Sequence, residues 1–588
     1  MDRWIADTVP SDKYPLHSRA NAGEVMPDPV SPLSSSWALG GPGEWGWRDA
    51  YVRAGTFDMP EFDPDRNNNI VVLGGYLYLN MSLTRIYGVR FPGLTPEMVD
   101  FQYFGTMPGI TPYEEEARPT DESEVHTGRL AQYLTWVMSV DDLPELRADR
   151  DQLARLVAQR PDFSQLSLQE VLDHGRSFQP LLRRLFCTHI VVSAASGVGI
   201  AVVGQVCAAI GAPELSLTLI AGAGDVDSAA PSWAMWDLSR IVKSSSALTE
   251  VFEAGLEGSL DRIRALAESG DADATEFWKQ GREFLGRFES RGPNEWELRS
   301  PTWGTNPEIA LTAVDRMRLA PDDDSPQART DGRVAERQAA TETVRQALAG
   351  NDEVAGQFEA ALRSALLFNP GRERTKTNCI KVIHEMRLTA REAGQRLVDA
   401  GLLDKVEQIF MFTDEELDDI VALAEGRPIV AIPEPRQTAR EREAFYLSLF
   451  DLEPPFVTNG APPPVSEWPA RATTGELAGA GTILSGIPGC AGVARGRARV
   501  VLDPTDPRGL EPGDVLVAPI TDPAWTPLFV PAAAVVVDVG AQISHAVIVS
   551  RELGLPCVVS VTGATRTIPD GALVEVDGAA GTVTILEV

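Results

Sequence analysis

AQISHAVIVSRELGLP, residues 541–556, sets one of the chain's six histidines between an apolar strand and an amphipathic helix. Upstream, AAAVVVDVG (532–540) is an apolar run of strand length ending on Gly540, and downstream PCVVSV (556–561) reads as a second strand. The order strand, helix, strand predicts a small α/β domain. Ser544 stands at the N-cap position and Gly554 at the C′ position of the helix HAVIVSREL, so His545 falls in its first turn. The free N–H groups of that turn and the positive end of the helix dipole favour a negatively charged group on the ring. A neutral imidazole is also a nucleophile near pH 7. No GxSxG frames a competing serine nucleophile. Local context alone leaves open an ordinary surface histidine, satisfied by a carbonyl or by water.

At 588 residues the chain has room for about three or four domains. With 44% hydrophobic and 23% charged residues it can bury sizeable cores. A formal net charge of −32 argues against nucleic acid or an anionic membrane as partner, because phosphate would be repelled. The five cysteines are scattered, with no CxxC pair and no His/Cys cluster at zinc spacing, so reduced cytosolic thiols and no metal are expected. The first residues, MDRWIADTVPSDKYPLHSR, have no apolar core and do not read as a signal peptide. IVVSAASGVGIAVVGQVCAAI (190–210) is uncharged and just long enough to span a membrane. It holds no Leu or Phe, however, and carries Ser193, Ser196, Gln205 and three glycines. It is read as a small-residue helix packed closely inside a cytoplasmic, soluble protein.

Residues 1–120 are rich in Pro, Gly and aromatics, with one strand-like run, NIVVLGGYLYLNMSL (69–83). From 121 to 453 apolar residues recur at helical spacing, and Thr413 is placed to cap a helix led by Asp414, Glu415 and Glu416. EPPFVTNGAPPPVSEWPARATTGELAGAG breaks this texture, so 454–481 reads as a linker spanning roughly 28 Å as a coil. Residues 482–588, dominated by short strands and Gly/Pro turns, form the domain that carries His545.

Four stretches of that domain carry a resemblance: GCAGVARGRARVV (489–501), PGDVLVAP (512–519), VGAQISHAVIVSRELGLPCVVSV (539–561) and IPDGALVEVDGAAGTVTIL (568–586). They resemble the swivelling phosphohistidine domain of phosphoenolpyruvate synthase, pyruvate phosphate dikinase and rifampin phosphotransferase. The resemblance implies that His545 is phosphorylated at one active site and swings to another, with Ser544 and Gly540 near the phosphate. Val539 stands where the family usually has glycine, and Gln542 where it often has Arg or Met.

The preceding region is similar to the same family. HSRANAGEVMPDPVSPLSSSW (17–37) and GGYLYLN (74–80) resemble the start of its acceptor-substrate domain. FLGRFESRGPNEWELRSPTWGTNP (284–307) keeps Arg291, Gly292, Glu295, Pro301 and Trp303 of a family segment but has Glu289 and Ser290 in place of Gly-His. GRERTKTNCIKVIHEMR (371–387) carries the Arg-Glu-x-x-Lys pattern of the acceptor site as Arg372, Glu373 and Lys376.

The implied fold is multidomain α+β. It combines a largely α-helical acceptor-substrate domain, a small β-containing N-terminal part and a C-terminal swivelling β/β/α phosphohistidine domain. Arg372 and Lys376, four apart on a helix, share a face and suit an arriving phosphoryl group, while Glu373 or His384 is placed to take the acceptor's proton. Arg291 and Glu295 read equally well as site residues and as a structural ion pair.

No glycine-rich phosphate loop of either standard pattern occurs. The layout resembles the histidine-bearing subunit of two-component phenylphosphate and cresol-phosphorylating synthases. That likeness implies a separate ATP-grasp subunit holding ATP and Mg²⁺, which loads His545 and leaves AMP and phosphate. It also implies a small aromatic hydroxyl as acceptor, with Trp136, Met138, Trp233, Trp236, Phe410 and Phe412 available to line a pocket. An antibiotic or other natural-product hydroxyl, and a regulatory phosphocarrier without a small-molecule acceptor, stay as alternatives.

Overall fold

The computed structural model describes the chain except residues 1–3, 105–106, 108, 115–117, 222–226, 228–229, 428–431, 472–474, 507–508, 523 and 541–543, and the side chains of 328–329. It is a mixed α/β fold in which helix dominates, at 56% of residues. Two compact units are each assembled from separate segments. The first combines Met1–Ala195, Trp296–Ser300 and Arg374–Ala472, and the second combines Ser196–Glu295, Pro301–Glu373 and Thr473–Val588.

In the first unit a four-stranded antiparallel sheet runs in the order β2-β3-β1-β4, with β1 Leu16–Ser18, β2 Ile70–Leu73, β3 Tyr76–Asn80 and β4 Val457–Asn459. The apolar run 69–83 is therefore a hairpin rather than one strand. Gly74 and Gly75, at φ +56° and +85°, form its two-residue turn, a conformation that asks for glycine at both positions. The last residues of that run, from Met81, already belong to the helix Met81–Arg90, capped by Asn80, whose side chain accepts the Leu83 N–H at 3.0 Å. Strand β4 arises inside the stretch read as a linker, and Trp468 beyond it is buried against Tyr76.

His17 on β1 is fully buried. Its Nδ1 lies 2.9 Å from the Pro15 carbonyl, which only accepts, so Nδ1 carries the proton and Nε2 accepts from Asn80 Nδ2 at 3.2 Å. Burial pushes this ring down to about 4, against the smaller opposing effect of the carbonyl.

The second unit holds an eight-stranded mixed sheet in the order β5-β12-β11-β7-β8-β9-β10-β6. The strands are β5 Ile483–Ser485, β6 Ile487–Cys490, β7 Val493–Val500, β8 Val515–Ala518, β9 Ala534–Val537, β10 Cys557–Val559, β11 Leu573–Asp577 and β12 Thr582–Glu587. Strands β7, β8, β9 and β10 are parallel, and the outer pairings are antiparallel. Strands β8, β9 and β10 are apolar at every position because both faces are covered. Val515, Val517, Ala534 and Val536 pack on one face with Val574, Val583 and Ile585. Leu516, Ala518, Val535 and Val537 face the other way, against the helix His545–Leu553 and against Met235, Val314 and Met317 of the helical segments.

The stretch Leu168–Ala209 is long and apolar enough to cross a membrane by length and composition, and 44% of its most apolar window is buried. The close packing expected of residues 190–210 is seen at Gly199, where a Cβ would meet the Ala361 carbonyl at 2.6 Å. A Cβ at Gly197 or Gly204 would meet nothing. Thr413 stands at the N-cap of the helix Asp414–Ala424, and Glu416 in its first turn accepts the Thr413 N–H at 2.9 Å.

Candidate functional site around His545

The helix His545–Leu553 crosses from β9 to β10, with Ser544 at its N-cap and Gly554 in the left-handed region at φ +70° after its last turn. Both lie where the sequence placed them, but Ser544 does not cap. Its Oγ is buried and has no hydrogen-bond partner among the described residues. Gly540 is a packing glycine: a Cβ there would lie 3.0 Å from Val559 Cβ and 3.1 Å from Ser544 Oγ. Val539 is exposed, and Gln542 lies outside the described residues.

His545 is half-buried at the first helical position. Its Nε2 lies 2.9 Å from Thr526 Oγ1 and its Nδ1 3.2 Å from Thr521 Oγ1. Phe529 packs edge-on against the ring at 6.0 Å between centroids. A hydroxyl both donates and accepts, so this pair serves either tautomer of the neutral ring. Thr521, Thr526 and Phe529 were not singled out from the sequence, because a hydroxyl 19 or 24 residues upstream carries no local signal. Cys557, on the strand that follows this helix, is fully buried, and burial pushes its thiol up to about 12.

The loop holding Arg291 and Glu295 comes to the same region. Asp522, next to Thr521, accepts the Asn294 N–H through Oδ2 at 2.7 Å and the Ala524 N–H through Oδ1 at 2.8 Å. Asn294 has φ +49°, a conformation that Asn tolerates better than most residues. Arg291 and Glu295 form a buried ion pair, Nη1 to Oε1 3.0 Å. Gly292 is required by close approach, since a Cβ would lie 2.5 Å from the Pro301 carbonyl, and Trp303 N–H donates to the Arg291 carbonyl at 2.7 Å.

Arg372, Glu373 and Lys376 all lie on the helix Asp352–Asp399. Glu373 is buried, with Arg372 Nη1 3.9 Å from its Oε1. The boundary between the compact units falls just after Glu373 and leaves Lys376 in the first unit. His384 is in the first unit too, 1% exposed, with Arg387 Nη1 3.3 Å from its Nδ1. Burial, and then the guanidinium groups of Arg387 and Arg160, hold its pKa well below the ordinary histidine value. That environment opposes the proton-accepting role suggested for His384 and leaves Glu373 as the carboxylate candidate.

Of the aromatic candidates, Phe410 and Phe412 are fully buried core of the first unit, and Trp236 lies under the Arg240 guanidinium at 3.9 Å. Trp136, with Tyr133, borders an open cavity of about 540 Å³ in the first unit.

Residues 510–581 match the mobile domain of PEP-utilising enzymes. Residues 189–373 match the fourth domain of rifampicin phosphotransferase. The chain is 33% identical over 332 residues to an uncharacterised protein of Mycobacterium tuberculosis (strain ATCC 25618 / H37Rv), covering 55% of this chain and 34% of that protein. It is 29% identical over 359 residues to a rifampicin phosphotransferase of Streptomyces sviceus, covering 60% of this chain and 39% of the relative. The corresponding figures for the rifampicin phosphotransferase of Bacillus subtilis are 31% over 243 residues, 40% and 26%. The chain spans well under half the length of these curated relatives. The matches support the PEP-utilising, phosphohistidine family, and the segment similar to its mobile domain includes His545.

Proposed function

We propose that this chain is a phosphotransferase in which His545 accepts a phosphoryl group and passes it to a hydroxyl of a small molecule. The observation that carries this reading is the setting of His545: the first turn of a nine-residue helix, between two threonine hydroxyls, inside the segment matching the PEP-utilising mobile domain. In the first transfer a ring nitrogen's lone pair forms the N–P bond as a P–O bond to the donor breaks. In the second, the acceptor oxygen bonds phosphorus, the P–N bond breaks and the hydroxyl proton passes to a base, for which Glu373 is proposed. Whichever ring nitrogen reacts, a threonine hydroxyl stands within 3.2 Å to donate to a phosphoryl oxygen. The first-turn N–H groups add stabilisation that is already oriented before reaction. Arg372 and Lys376 are proposed to hold the phosphoryl group at the acceptor, with the Arg291–Glu295 pair holding its loop in shape.

The donor proposed is ATP with Mg²⁺, held by an ATP-grasp nucleotide-binding partner and converted to AMP and phosphate. The acceptor proposed is a small aromatic hydroxyl of the phenol, cresol or benzyl alcohol type. A second reading keeps the chemistry and takes an antibiotic hydroxyl. The relatives named rifampicin phosphotransferase support it as well as the first.

The chain, incubated with β-³²P-ATP and an ATP-grasp partner, is expected to take up acid-labile, base-stable label that is lost in His545→Ala. A panel of phenols, benzylic alcohols and rifamycins then separates the two acceptor readings by which compound discharges the label. Labelling that persists in His545→Ala would sink the proposal.

A further inference from the structure

Asp58, Glu61 and His126 form a cluster in the first compact unit that phosphotransfer does not use. One donor atom from each lies within 4.8 Å of the other two. His126 sits in the first turn of the helix Glu124–Ser139, with Nδ1 fixed 2.7 Å from Ser123 Oγ. Its Nε2 points at the two carboxylates, 3.2 Å from Glu61 Oε2 and 3.6 Å from Asp58 Oδ2. Neither approach has hydrogen-bond geometry: among the described residues Nε2 is buried without a hydrogen-bond partner, and the residue is only 6% exposed. A buried ring nitrogen left in this way is costly unless something else occupies its lone pair.

The separations suggest what that is. Two donors each about 2.1 Å from a common centre lie roughly 3.0–3.4 Å apart at octahedral or tetrahedral angles. The second oxygen of each carboxylate is already engaged, Asp58 Oδ1 by Arg129 Nη1 and Glu61 Oε1 by Arg90 Nη2, both at 2.7 Å. Glu61 Oε2 also accepts the Asp58 N–H at 2.7 Å, with Arg90 Nη1 farther off at 3.4 Å. These contacts turn Asp58 Oδ2 and Glu61 Oε2 toward His126.

We propose that Asp58, Glu61 and His126 bind one divalent transition-metal ion. One imidazole and two carboxylates suit Zn²⁺ or Mn²⁺ better than Mg²⁺ or Ca²⁺, whose ligands are oxygens. The ion takes its other ligands from water on the Asp58 side, where the side chain is half-exposed. With Nε2 on the metal, Nδ1–H donates to Ser123 Oγ, the outer hydrogen bond that a metal-binding imidazole ordinarily makes. Arg90 and Arg129 offset the charge of both carboxylates, so binding is weaker than at a site without cations beside it. The ion braces the Asp58–Glu61 turn against the helix that follows Ser123, a structural role independent of His545.

The full chain, stripped with a chelator, is titrated with Zn²⁺ and with Mn²⁺ by calorimetry, and its melting temperature is followed. One ion per chain and a rise in melting temperature are expected, with affinity at least about tenfold lower in His126→Ala and in Asp58→Asn. His174→Ala, outside the cluster, is expected to bind as the wild type. Should His126→Ala fail to fold, the more conservative Asp58→Asn decides. No saturable binding, or unchanged affinity in the folded variants, overturns the site and leaves the His545 labelling experiment untouched.

Discussion

Two threonine hydroxyls on opposite nitrogens make the His545 ring adaptable. Each hydroxyl can reverse its hydrogen bond, so the ring can change tautomer without leaving a nitrogen bare. Thr526 is fully buried, which makes its hydroxyl the harder of the two for water to replace. Thr526→Val keeps the shape and removes the Nε2 partner. A neutral hydrogen bond contributes about 1 kcal/mol net, so the rate of His545 labelling is expected to fall roughly fivefold with little change in the folding midpoint. Quench-flow measurement of label uptake checks this, and an unchanged rate would show that Thr526 only fills space. No spacing rule could have pointed to Thr521 or Thr526, since β9 lies between them and the ring and only the sheet brings them back to it.

At the scale of the element, the His545 helix was legible almost to the residue. Its start, its end and the flanking strands follow from apolar spacing and from Gly554. What the sequence could not convey is how the ends are used, because Ser544 occupies the N-cap without capping. Gly554 has a double requirement: a left-handed φ of +70°, and Arg333, whose Nη2 donates to its carbonyl at 2.8 Å. A Cβ there would fall 2.3 Å from Arg333 Nε. Gly554→Ala is expected to cost about 1–2 kcal/mol from the backbone conformation alone, plus the displacement of Arg333. Adding Arg333→Ala should restore only the second part, which urea denaturation of the single and double variants measures. A full rescue would mean that φ at this position is not strained. The run 69–83 shows the opposite case, where an unbroken apolar stretch hid a turn that only the paired glycines of positive φ reveal.

For the whole molecule, acid stability depends on a group outside the unit that holds His545. His17 is held neutral, with a pKa near 4 against an ordinary 6.5. Between those values the unfolded chain binds a proton that the folded chain does not, so stability falls as pH drops from about 6.5 to 4. The shift corresponds to an order of 3 kcal/mol at full effect. His17→Asn, which keeps a donor toward Pro15, should be less stable at pH 7 but lose less on going to pH 5. Equal losses in both proteins would remove His17 as the cause. The assembly of the units was the least legible level. Helical periodicity shows that 121–453 is helical, but not that Trp296–Ser300 joins one core while Asn294, two residues earlier, donates to Asp522 in the other. Such pairings depend on three-dimensional complementarity, which residue types along the chain do not specify.

The pairing of β1 with β4 also sets a timetable. Ser18 Oγ donates to the carbonyl of Phe456, 438 residues later. At about 5–20 residues per second of synthesis, the outer edge of β1 waits roughly 20–90 s for its partner to be made. During that interval β3 can cover one side of β1 while the other presents unpaired N–H and C=O groups. The nascent chain thus carries an open strand edge through most of its synthesis, and its yield in the cell should depend on how long that edge is kept from other strands.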